Sequence, residues 1–280
     1  MYKIVAKEKL CPVVDLMKIQ APEVARKAKA GQFVVVRVDE VGERIPLTLA
    51  DWDAEEGTVT LVAMQVGTTT HKLAALNAGG QILDLIGPLG LPSEIDDFGT
   101  VVCVGGGVGV APVYPIARAL KQAGNKVITV MGARSKELLF WEDRLRSASH
   151  ELIVTTDDGS YARKGVVTEP LKELLERNKQ ISRVIAIGPA IMMKFCSLTT
   201  KPFGITTIVS LNSIMVDGTG MCGCCRVSVG DSTKFVCVDG PEFDGHQVDW
   251  DIVFNRQRIY CDEERQSLEL WKTHHCQNKA

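Results

Sequence analysis

The sequence Thr100-Val-Val-Cys-Val-Gly-Gly-Gly-Val-Gly-Val-Ala-Pro112 joins an apolar run to a cluster of glycines and then to a second apolar segment. The first run is rich in β-branched residues, which favours a buried strand. Glycines permit a tight turn and a close approach of the backbone to a ligand. A helix that begins directly after them directs free N–H groups and its dipole at an anion. The stretch therefore predicts a strand, a turn and a helix that together bind the pyrophosphate of a nucleotide.

This glycine cluster is not a standard Gly-x-Gly-x-x-Gly motif, since Val110 occupies the position of the last glycine. A generic strand-to-helix turn is the alternative interpretation of the cluster taken alone. Its place between a predicted strand and a predicted helix favours nucleotide binding. The candidate contacts are Gly105, Gly106, Gly107 and Gly109.

Strands and helices alternate along the chain after this stretch. This alternation predicts a doubly wound parallel sheet with helices on its faces over residues 98–210. Further strands are predicted at 126–131, 152–156, 183–187 and 205–209, and helices at 113–123, 138–147, 169–178 and 190–198.

Arg134 follows the strand predicted at 126–131. An acidic residue often contacts the ribose of NAD at this point of a nucleotide-binding fold. An arginine suits either the 2′-phosphate of NADP or a diphosphate, so the choice between the two nucleotides stays open.

Residues 1–97 predict a different architecture. Runs at 32–38, 58–64 and 82–86 are rich in β-branched residues and are separated by glycines and charged turns. Short strands at this spacing are typical of a small antiparallel β-barrel.

Two segments of the predicted barrel carry groups suited to a phosphorylated ligand. Arg44-Ile-Pro-Leu-Thr48 combines a cation, a fixed turn and a hydroxyl, and Gly67-Thr-Thr-Thr70 offers small side chains and backbone donors. Arg44 is either a phosphate contact or an ordinary surface charge. Taken together, the two segments are similar to a flavin cradle, with Thr48 as the candidate hydrogen-bond partner of the ring edge near N5. We interpret His71 as a neighbour of the second segment.

The third region, residues 211–280, contains Asp217-Gly-Thr-Gly-Met-Cys222-Gly-Cys-Cys225, followed by Cys237. Plant-type ferredoxin loops space their ligands as Cys-x4-Cys-x2-Cys with a later fourth cysteine. That spacing places Cys222, Cys225 and Cys237 at ligand positions and puts Asp217 at the first position. We interpret the region as a small 2Fe–2S domain with three thiolate ligands and one carboxylate ligand.

Three other interpretations of these cysteines stay open. Zinc uses Cys-x2-Cys pairs but usually needs a second pair at a longer spacing. A structural cysteine cluster without metal is also possible. Cys224 fits no ligand position in the pattern, although it could replace Asp217 in another ligation.

Composition excludes several classes of function. The formal net charge of −2 gives no electrostatic case for nucleic acid binding. No apolar run reaches the ~18 residues of a membrane-spanning helix, and the N-terminus is charged where a signal peptide is apolar. Nine clustered cysteines favour reduced thiols and metal over disulfides. We therefore expect a cytoplasmic protein, and we interpret His274-His-Cys276 as a polar tail rather than a metal tract.

The order of barrel, nucleotide domain and cysteine loop resembles the ferredoxin–NADP reductase superfamily over essentially the full length. Within it, the chain is similar to the electron-transfer subunits of dihydroorotate dehydrogenase and of bifurcating ferredoxin:NADP oxidoreductases. An Asp in the first ligand place resembles the bifurcating branch, because the dihydroorotate branch has Cys there. The stretches that carry the resemblance are 43–51, 67–73, 87–90, 105–112, 157–160, 188–193 and 217–226, together with the tail segments 242–250 and 262–265.

This resemblance implies three cofactors: FAD in the barrel, NAD(H) on the central domain, and a 2Fe–2S cluster packed near the flavin. It places Arg44, Pro46, Leu47 and Thr48 on the flavin, with Gly67, Thr68, Thr69 and Thr70 on its pyrophosphate. It places NAD(H) across the Gly105 loop and Asp157 to Ser160, including Asp158, with Gly188 and Pro189 near the nicotinamide.

The implied activity is conversion between two-electron and one-electron transfer, and the cofactors carry its chemistry. The implied partner is a larger glutamate-synthase-like subunit with FAD and 4Fe–4S clusters, which would connect this chain indirectly to ferredoxin. The chain itself would serve the NAD branch of a heterodimer. Alternatives are a dihydroorotate dehydrogenase subunit, a free-standing reductase, and a non-enzymatic redox sensor that uses the cluster as a switch.

Overall fold

The structure is a computed structural model that describes residues 1–277. The N-terminal part is an antiparallel sheet of seven strands with two short helices. Its elements are β1 (Tyr2–Cys11), β2 (Val14–Gln20), α1 (Pro22–Ala25), β3 (Phe33–Arg37), β4 (Arg44–Asp53), β5 (Thr58–Met64), α2 (Thr68–Ala75), β6 (Gln81–Ile82) and β7 (Asp84–Leu89).

The strand order of this sheet is β6-β1-β2-β5-β4-β3-β7. Only Leu83 separates β6 from β7, yet these strands form the two edges of the sheet. One intervening residue spans only about 7 Å, so the sheet must curl until its edges meet. This confirms the predicted antiparallel barrel. Its core contains Ile4, Ile19 and Leu49, which are fully buried.

The central part is a parallel sheet with helices. Its elements are β8 (Thr100–Gly106), α3 (Val110–Gln122), β9 (Lys126–Ala133), α4 (Glu142–Ala148), β10 (Glu151–Thr156), β11 (Arg163–Lys164), α5 (Thr168–Arg177), β12 (Ile181–Ile187), α6 (Ala190–Thr200) and β13 (Thr206–Ser210). Short 3₁₀ turns lie at Gly107–Gly109, Lys136–Leu138 and Lys201–Phe203.

The predicted helix at 138–147 is shorter in the structure. A 3₁₀ turn ends at Leu138, and Trp141 has a left-handed φ of 59°. That conformation interrupts a right-handed helix, so α4 begins only at Glu142. In contrast, α3 starts at Val110, three residues before its predicted start, because the helix follows the glycine turn directly.

The strand order is β11-β10-β9-β8-β12-β13, with a last strand at Glu242–Asp244 beside β13, and it reverses between β8 and β12. In open parallel sheets, ligands bind beyond the carboxyl ends of the strands at such a reversal. The predicted nucleotide glycines follow β8, and Gly188 and Pro189 follow β12, so both groups lie at this switch point.

The C-terminal part contains β14 (Arg226–Val229), β15 (Ser232–Phe235), α7 (Val236–Asp239), β16 (Glu242–Asp244), α8 (Trp250–Gln257) and α9 (Cys261–Gln277). Strand β16 pairs antiparallel with β13 and completes the central sheet. Cys225, Val236 and Phe243 share a core with Val102 and Ala186 of that sheet. This part therefore folds onto the nucleotide domain, and α9 packs on α2 of the barrel.

Among residues 1–277, no helix is both long enough and apolar enough to cross a membrane. The side chains of His274, His275 and Cys276 lie outside the part of the chain that the structure describes.

Candidate functional site: a cleft beside the cysteine loop

An open cleft with a cavity volume of about 170 Å³ lies where the three parts of the chain meet. The barrel contributes Phe33, Pro46, Leu47, Thr48 and Val62; the nucleotide domain contributes Val108, Gly109, Ala111, Pro112, Ile187, Gly188 and Ser210; the C-terminal part contributes Leu211, Asn212, Met215 and Pro241.

Strand β4 positions Pro46, Leu47 and Thr48 on one wall of this cleft. These residues pair with Val35, Val34 and Phe33 of β3, which holds the β4 backbone in place. The mostly apolar lining with few polar groups suits a flat aromatic ring. Arg44 begins β4 but is exposed and does not line the cleft.

Gly109 forms part of the opposite wall and must be glycine. A Cβ at this position would lie 2.2 Å from the Ile187 carbonyl oxygen. The absence of a side chain lets the turn after β8 pack against the end of β12, which brings Gly109 and Gly188 to the same cleft. Gly105 and Gly106 end β8, Gly107 begins the 3₁₀ turn, and Pro189 is the N-cap of α6.

Arg134, Asp157 and Asp158 come together beyond the carboxyl ends of β9 and β10. The Asp158 N–H donates to the Arg134 carbonyl at 3.2 Å, and the Asp157 N–H donates to the Ala133 carbonyl at 3.1 Å. All three side chains are exposed. Hydrogen bonds from Ser160 hold the pKa of Asp158 below its usual value. The neighbouring cation and carboxylates form a polar ledge beside the glycine turn.

The segment from Gly67 to Thr70 forms the N-terminus of α2. Gly67 is the N-cap, and no atom lies within 4 Å of where its Cβ would stand. The Thr70 hydroxyl oxygen accepts from the Gly67 and Val66 N–H groups at 3.0 Å. Thr69 is buried and donates to Glu43 at 3.2 Å. The turn is thus ordered and leaves open space beside its first residue.

The cysteine loop leads into the β14–β15 hairpin. Cys225 precedes β14 and Cys237 follows β15, and both are buried. Their Sγ atoms lie 3.2 Å apart. Burial raises the pKa of the Cys237 thiol to about 12, and the hydrogen bond to Cys225 adds to the shift.

Backbone N–H groups surround these sulfur atoms. Cys237 N–H donates to the Cys225 sulfur, and Cys224 N–H donates to the exposed Cys222 sulfur, each at 3.4 Å. The backbone N–H of Gly220 also lowers the pKa of Cys237, against the larger effect of burial; the φ of +88° at Gly220 favours glycine. Such donors stabilise negative charge on thiolates.

The Asp217 side chain forms hydrogen bonds within the cysteine loop. Its two carboxylate oxygens accept from Thr219 N–H at 2.7 Å and Cys222 N–H at 2.8 Å. The Thr219 hydrogen bond is the largest cause that holds the Asp217 pKa below its usual value, so the group is an anion at neutral pH.

Within the part of the chain that the structure describes, no three His, Cys, Asp or Glu side chains are placed to hold a single metal ion. The residues present fit a cluster in the chemistry of the donor set: facing buried thiols, N–H groups aimed at sulfur, and an ionised carboxylate. Thiolates are the ligands that iron–sulfur clusters prefer. Arg256 of α8 donates to the Cys224 carbonyl at 2.6 Å and fixes the loop from outside.

The cysteine loop lies beside the cleft. Leu211 and Met215 line the cleft, and Asp217 follows two residues later. Leu211 N–H donates to the Pro241 carbonyl at 2.9 Å, which joins the two C-terminal segments of the lining. A Cβ on Gly218 would lie about 3 Å from Val35 and Leu89 of the barrel.

The sequence analysis missed several residues of the cleft. Ser210 ends β13, and Asn212 follows it at the same edge of the sheet as Gly188. The rule that ligands bind at the carboxyl ends of strands could have indicated them. The local sequence around Pro241 and Arg256 gives no sign that Pro241 lines the cleft or that Arg256 contacts the cysteine loop.

Comparisons with known proteins agree with this arrangement. Residues 212–249 match the family model "Iron-sulfur cluster binding domain of dihydroorotate dehydrogenase B", and residues 103–197 match "Oxidoreductase NAD-binding domain". A Thermotoga maritima protein named as a dihydroorotate dehydrogenase B (NAD(+)) electron transfer subunit homolog is 52% identical over 267 residues, covering 95% of this chain and 94% of that protein.

The chain belongs to the family of dihydroorotate dehydrogenase B electron transfer subunits and their homologues. A member from Fusobacterium nucleatum named as the electron transfer subunit itself is 33% identical over 81% of this chain and 89% of its own. The family membership confirms the predicted superfamily, the iron–sulfur and NAD-binding domains, and an oxidoreductase of the ferredoxin–NADP reductase type.

This electron transfer subunit homologue also matches solved structures. A chain of the NADH-dependent reduced ferredoxin-NADP oxidoreductase, described in work on flavin-based electron bifurcation, superimposes with a TM-score of 0.92 at 49% identity, covering 97% of this chain and 98% of that one. A ferredoxin NADP+ reductase from Neisseria gonorrhoeae with bound FAD and NADP has a TM-score of 0.61 at 22% identity, covering 72% and 90%, and shares the fold.

Proposed function

We propose that this chain exchanges electrons between NAD(H) and a 2Fe–2S cluster through FAD, as the NAD branch of an electron-bifurcating ferredoxin:NADP oxidoreductase. The observation that carries the proposal is the single cleft lined by Thr48, Gly109, Gly188 and Met215. In support, residues proposed for the flavin ring and residues proposed for the nicotinamide line the same cleft, and Met215 of its lining lies two residues before Asp217 of the cysteine loop.

FAD supplies hydride exchange with the nicotinamide, and the cluster supplies single-electron transfer. The protein chain holds the flavin ring and the nicotinamide ring in position. Pro46 and Leu47 hold the ring by apolar contact, and the Thr48 hydroxyl orients the ring edge near N5. Gly109 and Gly188 leave room for the second ring to stack. This placement converts a bimolecular encounter into an oriented reaction within the site.

The remaining predicted contacts extend from the cleft in two directions. Gly67, Thr68, Thr69 and Thr70 hold the flavin pyrophosphate at the start of α2, and Arg44 lies on the exposed end of β4 to neutralise it. On the other side, Gly105 to Gly107 hold the dinucleotide phosphates, and Arg134, Asp157 and Asp158 contact its distal part.

In the cluster domain, Cys222, Cys225 and Cys237 provide thiolate ligands and Asp217 provides the fourth. We assign the domain boundaries to 97/98 and 210/211, as the sequence patterns of the barrel, the nucleotide domain and the cluster domain predict. The buried Gly218 packs against Val35 and Leu89 of the barrel, which holds the cysteine loop against the barrel.

The partner that suits this activity is a larger glutamate-synthase-like flavoprotein subunit. Support comes from the similarity to the NADH-dependent reduced ferredoxin-NADP oxidoreductase chain over 97% of the length. Asp217 in the first ligand position adds to that support.

A second candidate is the electron transfer subunit of a dihydroorotate dehydrogenase. The names of the relatives favour it, including those at 31–37% identity. The two functions differ in the partner, so reconstitution separates them. The chain is mixed anaerobically with either catalytic partner, and turnover is measured with each. Reduction of NADP that requires both NADH and reduced ferredoxin, through the glutamate-synthase-like subunit, supports the first function; dihydroorotate oxidation with NAD as the electron acceptor supports the second.

The core of the proposal is tested on the chain alone. Iron, acid-labile sulfide and FAD are quantified after anaerobic purification, and NADH-driven reduction of ferricyanide is measured against NADPH. We expect one FAD, two irons and turnover with NADH. A chain that holds cofactors without any turnover would support a redox sensor instead.

A further inference from the structure

The C-terminal helix α9 (Cys261–Gln277) packs on α2, the helix whose first turn carries the predicted flavin pyrophosphate contacts. The Ser267 hydroxyl lies 2.8 Å from the Thr68 hydroxyl. The Trp271 ring lies 5.4 Å from the His71 ring at an interplanar angle of 30°. Each contact joins α9 to a residue within four positions of Gly67.

Helix α9 is held by a narrow seam. Between Cys261 and Thr273, only Ser267, Leu268 and Trp271 are half-buried, and the other side chains are exposed. Leu270 on another face is 62% exposed. A helix with so little buried apolar surface has low local stability unless something further anchors it. These half-buried side chains lie on the side of α9 that packs on α2. Among the described residues, no other helix packs on α9 as extensively as α2 does.

Helix α9 also brings the positive charge of Lys272 close to His71 of α2. Burial is the largest cause that lowers the His71 pKa, and the cations Lys272 and Lys9 lower it further. Lys272 of α9 and Lys9 of β1 therefore lie near the first turn of α2 from two different elements. Lys9 is paired with Asp15 at 3.4 Å, and the Glu43 carboxylate accepts from Thr69 in the same turn. Lys272 therefore supplies charge that suits a diphosphate at the start of α2.

We propose that α9 is part of the flavin site and acts as a clasp for the FAD diphosphate. This inference rests on the proposed function. Ser267 and Trp271 are positioning residues that fix the start of α2 through their contacts with the Thr68 hydroxyl and the His71 ring. Lys272 strengthens the anion site. FAD binding and the docking of α9 then stabilise each other, as linked equilibria require.

The test is the FAD dissociation constant of the full-length chain, measured by flavin fluorescence after removal of FAD. The variants are Ser267→Ala, Trp271→Ala and Lys272→Gln. The matched controls are Leu270→Ala, on the exposed face of the same helix, and Lys126→Gln, which removes the same charge from the nucleotide domain. Iron content and thermal stability are measured on each sample as independent readouts.

We expect Trp271→Ala to weaken FAD binding by about tenfold, the equivalent of one good contact. Lys272→Gln should weaken it by about threefold, and less so at high salt because screening reduces charge effects. Both controls should bind FAD as the unchanged protein does, with iron content constant throughout.

Equal FAD affinity in all variants would overturn the proposal while the proposed function stands. Parallel loss of FAD, iron and thermal stability in Trp271→Ala, with Lys272→Gln unchanged, would show a general structural role and would also overturn it. Failure of the unchanged chain to bind FAD would instead contradict the proposed function, before any variant is compared.

Discussion

The Sγ atoms of Cys225 and Cys237 lie 3.2 Å apart although twelve residues separate them in the chain. The β14–β15 hairpin causes this, since Arg226 pairs with Phe235 and thereby aligns the residues that flank the two strands. Cys224, the immediate neighbour of Cys225, is only half-buried and does not share this contact. The hairpin therefore brings the sulfur of Cys225, but not that of Cys224, into contact with Cys237.

Replacement of Cys225 by serine should remove the cluster, because a hydroxyl is a poor substitute for a buried thiolate ligand of iron. The matched control is Cys224→Ser, one residue away, which should keep full iron content. Iron and sulfide analysis with the visible spectrum measures both. Equal loss of iron in the two variants would contradict the ligand assignment.

Asp217→Cys should retain the cluster but change its electron paramagnetic resonance spectrum and its midpoint potential, because a soft thiolate replaces a hard carboxylate. Asp217 also accepts two backbone N–H groups, so Asp217→Asn separates the roles: the amide oxygen preserves an acceptor but not the charge. An unchanged spectrum and potential in Asp217→Cys would show that Asp217 closes the loop without touching iron.

Thr48→Val should slow flavin reduction by NADH and leave FAD content unchanged. Valine preserves the shape of the cleft wall and removes only the hydroxyl. One neutral hydrogen bond contributes about 0.5–1.5 kcal/mol, which corresponds to about a two- to tenfold change in rate. Anaerobic stopped-flow absorbance measures the rate, with Thr60→Val of the neighbouring strand as a control. A rate equal to that of the unchanged protein would exclude a role for Thr48 at the ring.

Glu242 introduces a pH dependence of stability. Burial is the largest cause that raises its pKa, and a 2.5 Å hydrogen bond from Ser93 partly offsets the shift. The unfolded carboxyl ionises near its ordinary value of about 4.3. Between that value and the raised pKa the folded state binds more protons, so stability falls as pH rises through this window.

Glu242→Gln should abolish this fall and raise the unfolding temperature at neutral pH, by about 2–4 °C for each kcal/mol gained. The amide oxygen can still accept from Ser93. Thermal unfolding at pH 4.5, 6.0 and 7.5 measures the effect, and the exposed Glu151→Gln serves as control. If Glu242→Gln unfolds at a lower temperature than the unchanged protein at pH 7.5, the ionised carboxylate is favourable and the sign is wrong.

Local sequence predicted the elements that depend on local chemistry. The strand at 58–64 was predicted with the bounds of β5, since a run of β-branched residues fixes both the conformation and the burial. The glycine turn before α3 was predicted because few other sequences permit the approach of Gly109 to Ile187. The general architecture of three parts followed from these patterns and from the resemblance.

Other features depend on contacts between distant residues. Strand β16 joins the central sheet through β13, a pairing between segments more than thirty residues apart that no local pattern indicates. Arg44 was predicted as a phosphate contact from its residue type, and it lies exposed at the end of β4, outside the cleft lining; its contact with the flavin pyrophosphate stays a prediction. The docking of α9 on α2 joins the C-terminal helix to the barrel, between residues as far apart in sequence as Thr68 and Ser267, and was not predicted.

The most direct test is the visible and electron paramagnetic resonance spectrum of the anaerobically purified chain before and after NADH is added. We expect flavin bands with a red-brown cluster shoulder, bleaching of both by NADH, and a new signal from the reduced cluster. A colourless chain, or colour that NADH leaves unchanged, would contradict the claim that the cleft connects NAD(H), FAD and the cysteine loop.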